Sequence, residues 1–515
     1  MKNLYYLKLM FASSLMIGLF VAPRLAVGAD WPTARGPNRN GLSSETGLLR
    51  NWTEESLPQL VWKNSNAGQT TNGIAVFGNC VYTIGQKGGM ECVFCIENQS
   101  GKTLWARPIG KSARGSKLPV QRSTPTIYKN FLYALSSSGN LVAMDAGSGA
   151  TRWVRNAIST MGGTLPQGGY CESPYVDGKW VIICPGGPGA SMVAINRHWG
   201  ANVWAAKTGM PAGYSPIVKA SFGREHQYVT FSGGGLYGVK VRGNGDVRWR
   251  YEAVAHPSGY NPVAPIWFGQ TMLASSAAGT GLVWVQKEGT TYRVEEIWFD
   301  KKLKVTCGDM LKVNDYVFTC TDDGLVCFNY KTGEMVWKDD SLFEEEEEED
   351  DAPRSRKRST ASLVQDREYL GFADPPPSLT IPKAPKSKKK KAAALPKMPE
   401  RFATMTYAEG LLYVRTSSGV LALVEASPEG FKLRGKFALP QMKKGLGVTP
   451  VVANGFLYLR EGNSIFCFDI RDKSKHGGGQ DAEGGDSPDG SGSPKALPGM
   501  PQGPDVKQRT APKIG

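Results

Sequence analysis

An all-β fold, a ring of short four-stranded sheets, is predicted by three observations. A turn-plus-tryptophan unit recurs along the chain, best seen at Asn329–Trp337 (NYKTGEMVW) and again at Glu97–Trp105, Asp145–Trp153, Asn196–Trp204 and Arg242–Trp249. The tryptophans fall at intervals of 43 (Trp62 to Trp105), 48, 51, 45, 49 and 39 residues, ending at Trp337, a period that accommodates four short strands each time. Sixty-two glycines and 33 prolines punctuate runs of Val, Ile, Leu, Phe, Tyr and Trp, the composition of many strands joined by tight turns.

Each interval carries the same sub-elements in the same order. A Ser/Thr-Pro step opens a strand at Thr124-Pro125, Ser173-Pro174, Ser215-Pro216 and Thr449-Pro450, where the missing proline donor is tolerated. An Asn or Gly turn then leads into an apolar strand, as at Asn79–Tyr82, Asn130–Tyr133 and Asn454–Tyr458. A hairpin follows and returns to the tryptophan unit. Aligning the units stacks Cys95, Ala143, Ala194, Gly238, Cys327 and Cys467 in one column, so these cysteines read as small packing residues. Cys92 and Cys95 point to opposite faces of a strand and have no second pair, which argues against a metal or redox motif. With nine cysteines at least one is unpaired; Cys171 with Cys184, or Cys307 with Cys320, could bridge, and the sequence leaves this open.

Residues 1–29 stand apart. Lys2 and Lys8 flank an apolar run of 14 residues, Leu9–Ala22, and Val27-Gly28-Ala29 supplies small residues for cleavage. The run falls short of the ~20 residues a membrane span needs, so a secretory signal peptide, export and no transmembrane segment after cleavage are expected. The ring itself should occupy 30–470.

The rhythm breaks after Trp337, and the next equivalent position is read at Phe437. Between them lie eight consecutive acids (Glu344–Asp351), Arg354–Arg358, Pro375–Pro377 and Lys388–Lys391. This composition cannot bury a core, so 342–398 is expected to be a disordered charged insertion. Setting those 57 residues aside reduces the 100-residue gap to 43. Its acids sit beside its bases, which favours a solvated linker over a nucleic-acid or membrane patch. The Gly/Ser/Pro-rich residues 471–515 are expected to be a disordered tail. Because the net charge of +15 includes these segments, it says little about any binding face.

After Phe437 only three strands remain. A ring must hide its sheet edges, so Leu60–Lys63 from the N-terminal end should complete the last sheet, giving eight blades. Seven blades, or six, remain open if the interval with the turn Glu288–Thr291 is built differently.

The D/N-x-x-T/S-G-x-x-x-W unit resembles the pyrroloquinoline-quinone (PQQ) type propeller repeat, found in quinoprotein alcohol dehydrogenases and in BamB-type outer-membrane assembly scaffolds. The resemblance covers 30–341 and 399–470. Asp30-Trp31-Pro32, Arg35–Asn38 and Gly169–Pro174 resemble a subgroup of exported bacterial propellers. In such a ring the residues preceding each innermost strand face the axial funnel: Asn72, Arg122, Tyr170, Glu172, Tyr214, Tyr260, Asn261 and Asp309. In quinoprotein dehydrogenases a carboxylate, an amide and a second carboxylate hold a Ca²⁺ bound to the quinone, and the aspartate acts as general base. By resemblance Glu172, Asn261 and Asp309 would be the metal ligands, and Arg122, Tyr170, Glu172, Tyr214 and Asn261 the cofactor contacts. Asp309 would then be the catalytic base.

Two departures point the other way. The chain has no two neighbouring cysteines, which those dehydrogenases place against the cofactor, and its blades are minimal. Other chemistries find less support. His198, His226, His256 and His476 are scattered, Cys95 is followed by Ile96 rather than histidine, and Gly186–Gly189 precedes a strand rather than a phosphate-cradling helix. The expectation is therefore a non-enzymatic envelope scaffold that binds a protein partner, with no cofactor. A PQQ- and Ca²⁺-dependent alcohol or sugar dehydrogenase is the alternative.

Overall fold

The computed structural model describes residues 29–53, 55–113, 123–344, 395–397, 399–439 and 447–475. The signal-peptide run, Arg122, most of the charged insertion and nearly all of the tail lie outside these residues. Beyond Asp472 the described chain is a single short 3-10 turn, Lys473–Lys475.

Eight antiparallel sheets follow one another around the ring. Blade 1 comprises Ile74–Phe77, Cys80–Lys87, Met90–Glu97 and Thr103–Lys111. Blade 2 comprises Thr126–Tyr128, Phe131–Leu135, Asn140–Asp145 and Thr151–Asn156. Blades 3 to 6 run in the same way from the innermost strands Tyr175–Asp177, Val218–Phe222, Ile266–Phe268 and Leu311–Val313 to outermost strands ending at Ala206, Tyr251, Asp300 and Asp339. Blade 7 spans Ala403–Ala438. Blade 8 is Val451–Ala453, Phe456–Glu461 and Ser464–Asp469, completed on its outer side by Gln59–Asn64, with Trp62 opposite Cys467. The closing strand is thus where the edge argument put it. The fifth interval is built as a full blade with an extended hairpin, Gly279–Glu288 and Thr291–Asp300, so the count is eight.

The repeated unit is a docking device between blades. Besides Trp62, five of these tryptophans sit opposite the small column across the ladder, Trp105 facing Cys95, Trp153 Ala143, Trp204 Ala194, Trp249 Gly238 and Trp337 Cys327, while Trp298 of blade 5 faces Leu282. At Gly238 a Cβ would lie 2.5 Å from the Trp249 indole nitrogen. The column is small because the indole needs the space. Each ring then reaches the next blade. Indole nitrogens donate to carbonyls there: Trp62 to Asn98 (2.7 Å), Trp105 to Gly147 (2.8 Å), Trp153 to Arg197 (3.0 Å) and Trp337 to Ser427 (2.9 Å). The turn glycine of the repeat receives the ring. A Cβ on Gly149, at φ +70°, would lie 2.8 Å from the Trp105 ring. Gly149→Ala should therefore lower stability by about 1–3 kcal/mol through combined backbone strain and overpacking. Gly178→Ala, at φ +57° with open space beyond, should cost only about 1 kcal/mol; urea midpoints of the two variants check the difference.

Blade 7 departs from the reading of Phe437 as its tryptophan equivalent. The ladder places Gly435 opposite Leu423, the position occupied by tryptophan elsewhere, while Phe437 pairs with Leu421. Trp52 supplies the indole instead. Its amide donates to Arg434 O (2.7 Å), and its ring packs on Tyr413 (5.8 Å) and Phe437 (5.3 Å).

The first part of the segment 31–52, through Glu45, runs along the central channel before the chain leaves toward the slot between blades 7 and 8. It enters where innermost strands end, with Trp31 paired to Val76 and buried between blades 8 and 1. Its turn-rich tip reaches the other ends of those strands, where Arg35 meets Met310 and Arg39 meets Ser173, Pro174 and Ile217. Leu42–Ser43 then adds a parallel fifth strand beside Tyr407–Ala408 of blade 7, and the Glu45 carboxylate accepts from the amides of Asn454 and Gly455 (2.9 Å each) in blade 8.

Candidate functional site

The axis holds a cavity of about 70 Å³ lined by Ala34, Arg35, Cys171, Glu172, Ser173, Tyr214, Cys307, Asp309, Thr404 and Thr449 among others. Three of the sequence-predicted site residues, Glu172, Tyr214 and Asp309, line it. All three precede an innermost strand, the position from which side chains were expected to face the axis.

The carboxylate of Asp309 is saturated. One oxygen pairs with the Arg35 guanidinium, and the other accepts from Met405 N (3.1 Å) and the Thr449 hydroxyl (2.8 Å). Glu172 accepts a hydrogen bond from the amide of Cys184 and is buried. Burial pushes its carboxyl up to about 7, against the opposing pull of the Cys184 hydrogen bonds and Arg39. Arg39, stacked 5.0 Å over Tyr175, is itself lowered to about 10 by burial.

Asn261 and Tyr170 are elsewhere. The Asn261 side chain accepts from His256 N (3.0 Å) and donates to Ser232 O (2.8 Å), so both ends of its amide serve the backbone, and its neighbour Pro262 lines the cavity in its place. The hydroxyl of Tyr170 donates to Pro185 O (2.8 Å), and the ring belongs to the core between blades 2 and 3. Arg122 lies outside the described residues. Tyr214 packs on Tyr260 (5.6 Å) beside Cys171, and Leu395, at the C-terminal foot of the insertion, rests on this cluster. The N-terminal foot is also packed: Leu342 is buried with Leu311, Cys320 and Ala403.

These residues do not fit a quinone held by Ca²⁺. Two of the three proposed ligands have their oxygens engaged by protein donors, and the cavity is well below the ~300–1,000 Å³ of pockets that enclose such ligands. Among the described residues no group of three His, Cys, Asp or Glu is arranged to hold a metal ion. All nine cysteines are free thiols, with neither open pairing formed. Burial pushes the Cys307 thiol up to about 12 and that of Cys184 well above its ordinary value, which removes thiolate chemistry at these two positions at neutral pH.

Arg35 and Arg39, which lie outside the repeat and were not among the expected funnel residues, are charged residues that organise the axis. The signal available was a pair of arginines in a turn-forming stretch with Gly36 and Gly41.

A family profile described as outer membrane protein assembly factor BamB matches residues 58–164 and 164–339, from the closing strand through blade 6. The chain belongs to the BamB family. Over 151 residues it is 26% identical to the outer membrane protein assembly factor BamB of Kangiella koreensis, a match covering 29% of this chain and 33% of that protein. The match thus spans about a third of that relative's length. Among solved structures, BamB from Moraxella catarrhalis superposes with a TM-score of 0.52 at 14% identity, over 80% of this chain and all of that one. The quinohemoprotein alcohol dehydrogenase from Comamonas testosteroni does so with a TM-score of 0.54 at 11% identity, over 90% of this chain and 82% of that one. At these identities the likeness is one of fold, and BamB-family scaffolds and dehydrogenases share the same ring.

Proposed function

We propose that this protein is an exported scaffold that binds protein partners in the cell envelope, as the names of its BamB relatives suggest, and that it performs no catalysis and holds no cofactor. The observation that carries this reading is the filled axis. The place where a propeller of this type would hold a small ligand is taken by the chain's own segment, so recognition falls to the outer surface. That surface supports partner binding: Trp199, Trp267, Phe268 and Trp284 are exposed, as are Leu60, Val61, Leu104, Val203, Met335 and Val336 on the outermost strands. Large aromatic side chains outside the core are characteristic of interface anchors. No helix among the described residues is long and apolar enough to cross a membrane.

The test is site-specific photocrosslinking in the native cell. A photoreactive residue at Trp199, Phe268 or Val203 should give a discrete adduct with an envelope protein, and one at buried Tyr458 should not. If none of the exposed positions yields an adduct in the envelope fraction, the scaffold reading fails. The same cells report on export, since cleavage after Ala29 would shorten the chain by 29 residues.

A further inference from the structure

We infer that Arg35 is a resident cation, seated on Asp309 where the resemblance to quinoprotein propellers would place a metal, and that this seat is thereby closed to a metal–quinone pair. The inference rests on the geometry of the axis and not on the scaffold reading.

The seat is built. Asp309 is 6% exposed and Arg35 8%, so both charges are out of water, and an unpaired carboxylate there would be costly. The guanidinium serves four acceptors: Asp309, Met310 O (2.7 Å), Asn40 O (3.2 Å) and, from Nε, Arg39 O (3.4 Å). Delivering it there requires a particular backbone. Arg35 has φ +62° and Gly36 φ +79°, and a Cβ on Gly36 would lie 2.8 Å from the Trp31 ring. At Gly41, φ +79°, a Cβ would lie 2.3 Å from Leu311. The left-handed turn, its two glycines and the buried Trp31 anchor together aim the guanidinium at one carboxylate.

Arg39 follows one turn on. Its guanidinium donates to Ser173 O (2.8 Å), Pro174 O (3.2 Å) and Ile217 O (3.2 Å), beside Glu172. Among the described residues only Asp309 is ion-paired with a guanidinium from this segment; Arg39 spends its donors on backbone carbonyls and reaches Glu172 only as a weaker electrostatic pull. A divalent ion placed at Asp309 would have to displace Arg35, leaving that cation buried without its partner.

The experiment is thermal unfolding of the mature full-length chain. Wild type should show the same midpoint with and without millimolar Ca²⁺ plus PQQ. Arg35→Ala should unfold about 5 °C lower, the size expected for breaking a buried pair in a chain of this length. Methylguanidinium, which refits the vacated space, should restore part of that loss, and the Arg35→Ala/Asp309→Asn double variant should show no such recovery. Arg35→Lys keeps a charge without the fork and should fall between, and serves if the alanine variant does not fold. A wild-type midpoint raised by Ca²⁺ plus PQQ, or Arg35 variants as stable as wild type, would overturn the inference. Loss of partner crosslinks with these outcomes intact would count only against the scaffold.

Discussion

Trp52→Ala should lower unfolding stability by about 3–5 kcal/mol, the range for deleting a large buried aromatic from a packed site. The residue lies 22 positions before the first strand of blade 1, in a stretch with no sheet partner of its own, yet it is 4% exposed. Its indole occupies the slot between blades 7 and 8 that every other blade fills from its own outermost strand, and Gly435 leaves room for it. Phe437→Ala should cost less, since that ring is half-buried and lies beside the slot. Urea denaturation of the two variants decides between them. If Phe437→Ala is the more damaging, Phe437 and not Trp52 is the blade-7 peg.

Glu172→Gln should change how stability depends on pH. The folded-state carboxyl titrates near 7 and the unfolded one at its ordinary 4.5. Between these values the folded chain holds more protons than the unfolded chain, so raising the pH through this window destabilises the wild type. The contribution is fully present below about pH 4.5 and lost above about pH 7, amounting to about 3 kcal/mol. Glutamine keeps the acceptor for the Cys184 amide and cannot ionise. Midpoints for the two proteins should therefore lie close together at acid pH and diverge toward neutrality, with the variant the more stable at about pH 8. Parallel profiles would mean that Glu172 is not held in an apolar setting.

The ring was legible because its rule is local and repeated. A tryptophan, a turn glycine and a small residue recur at fixed offsets, and the closing strand follows from the need to cover an edge. Even so, the sequence suggested only that the column was small, and the reason, an indole directly across the ladder, needed the register. Blade 7 was misread because its turn, Glu425–Gly430, is longer than the Thr-Gly turn and its indole comes from a residue nearly 400 positions away. The funnel residues were found by position and misjudged in chemistry. Asp309 and Glu172 do reach the cavity, while Asn261 points its amide into neighbouring backbone. What pairs with Asp309 lies 274 residues earlier, in a stretch whose glycines and prolines announce turns without saying where they lead.

The segment that reaches the axis also bears on how the molecule is made. Trp62 pairs with Cys467, and Leu48 bridges Arg471, so Gln59–Asn64, made early in synthesis, pairs with Ser464–Asp469, the last strand of the ring. Closing a loop of that length costs roughly 5 kcal/mol in chain entropy beyond a constant. Blades 1 to 6 can each form from local hairpins as they appear, but the ring stays an open arc, with the outer strand of blade 8 unpaired, until the final strand is delivered. Folding is thus completed from both ends of the polypeptide at once, and a chain truncated ahead of Ser464 would leave Gln59–Asn64 and Phe456–Glu461 each without the strand that pairs them.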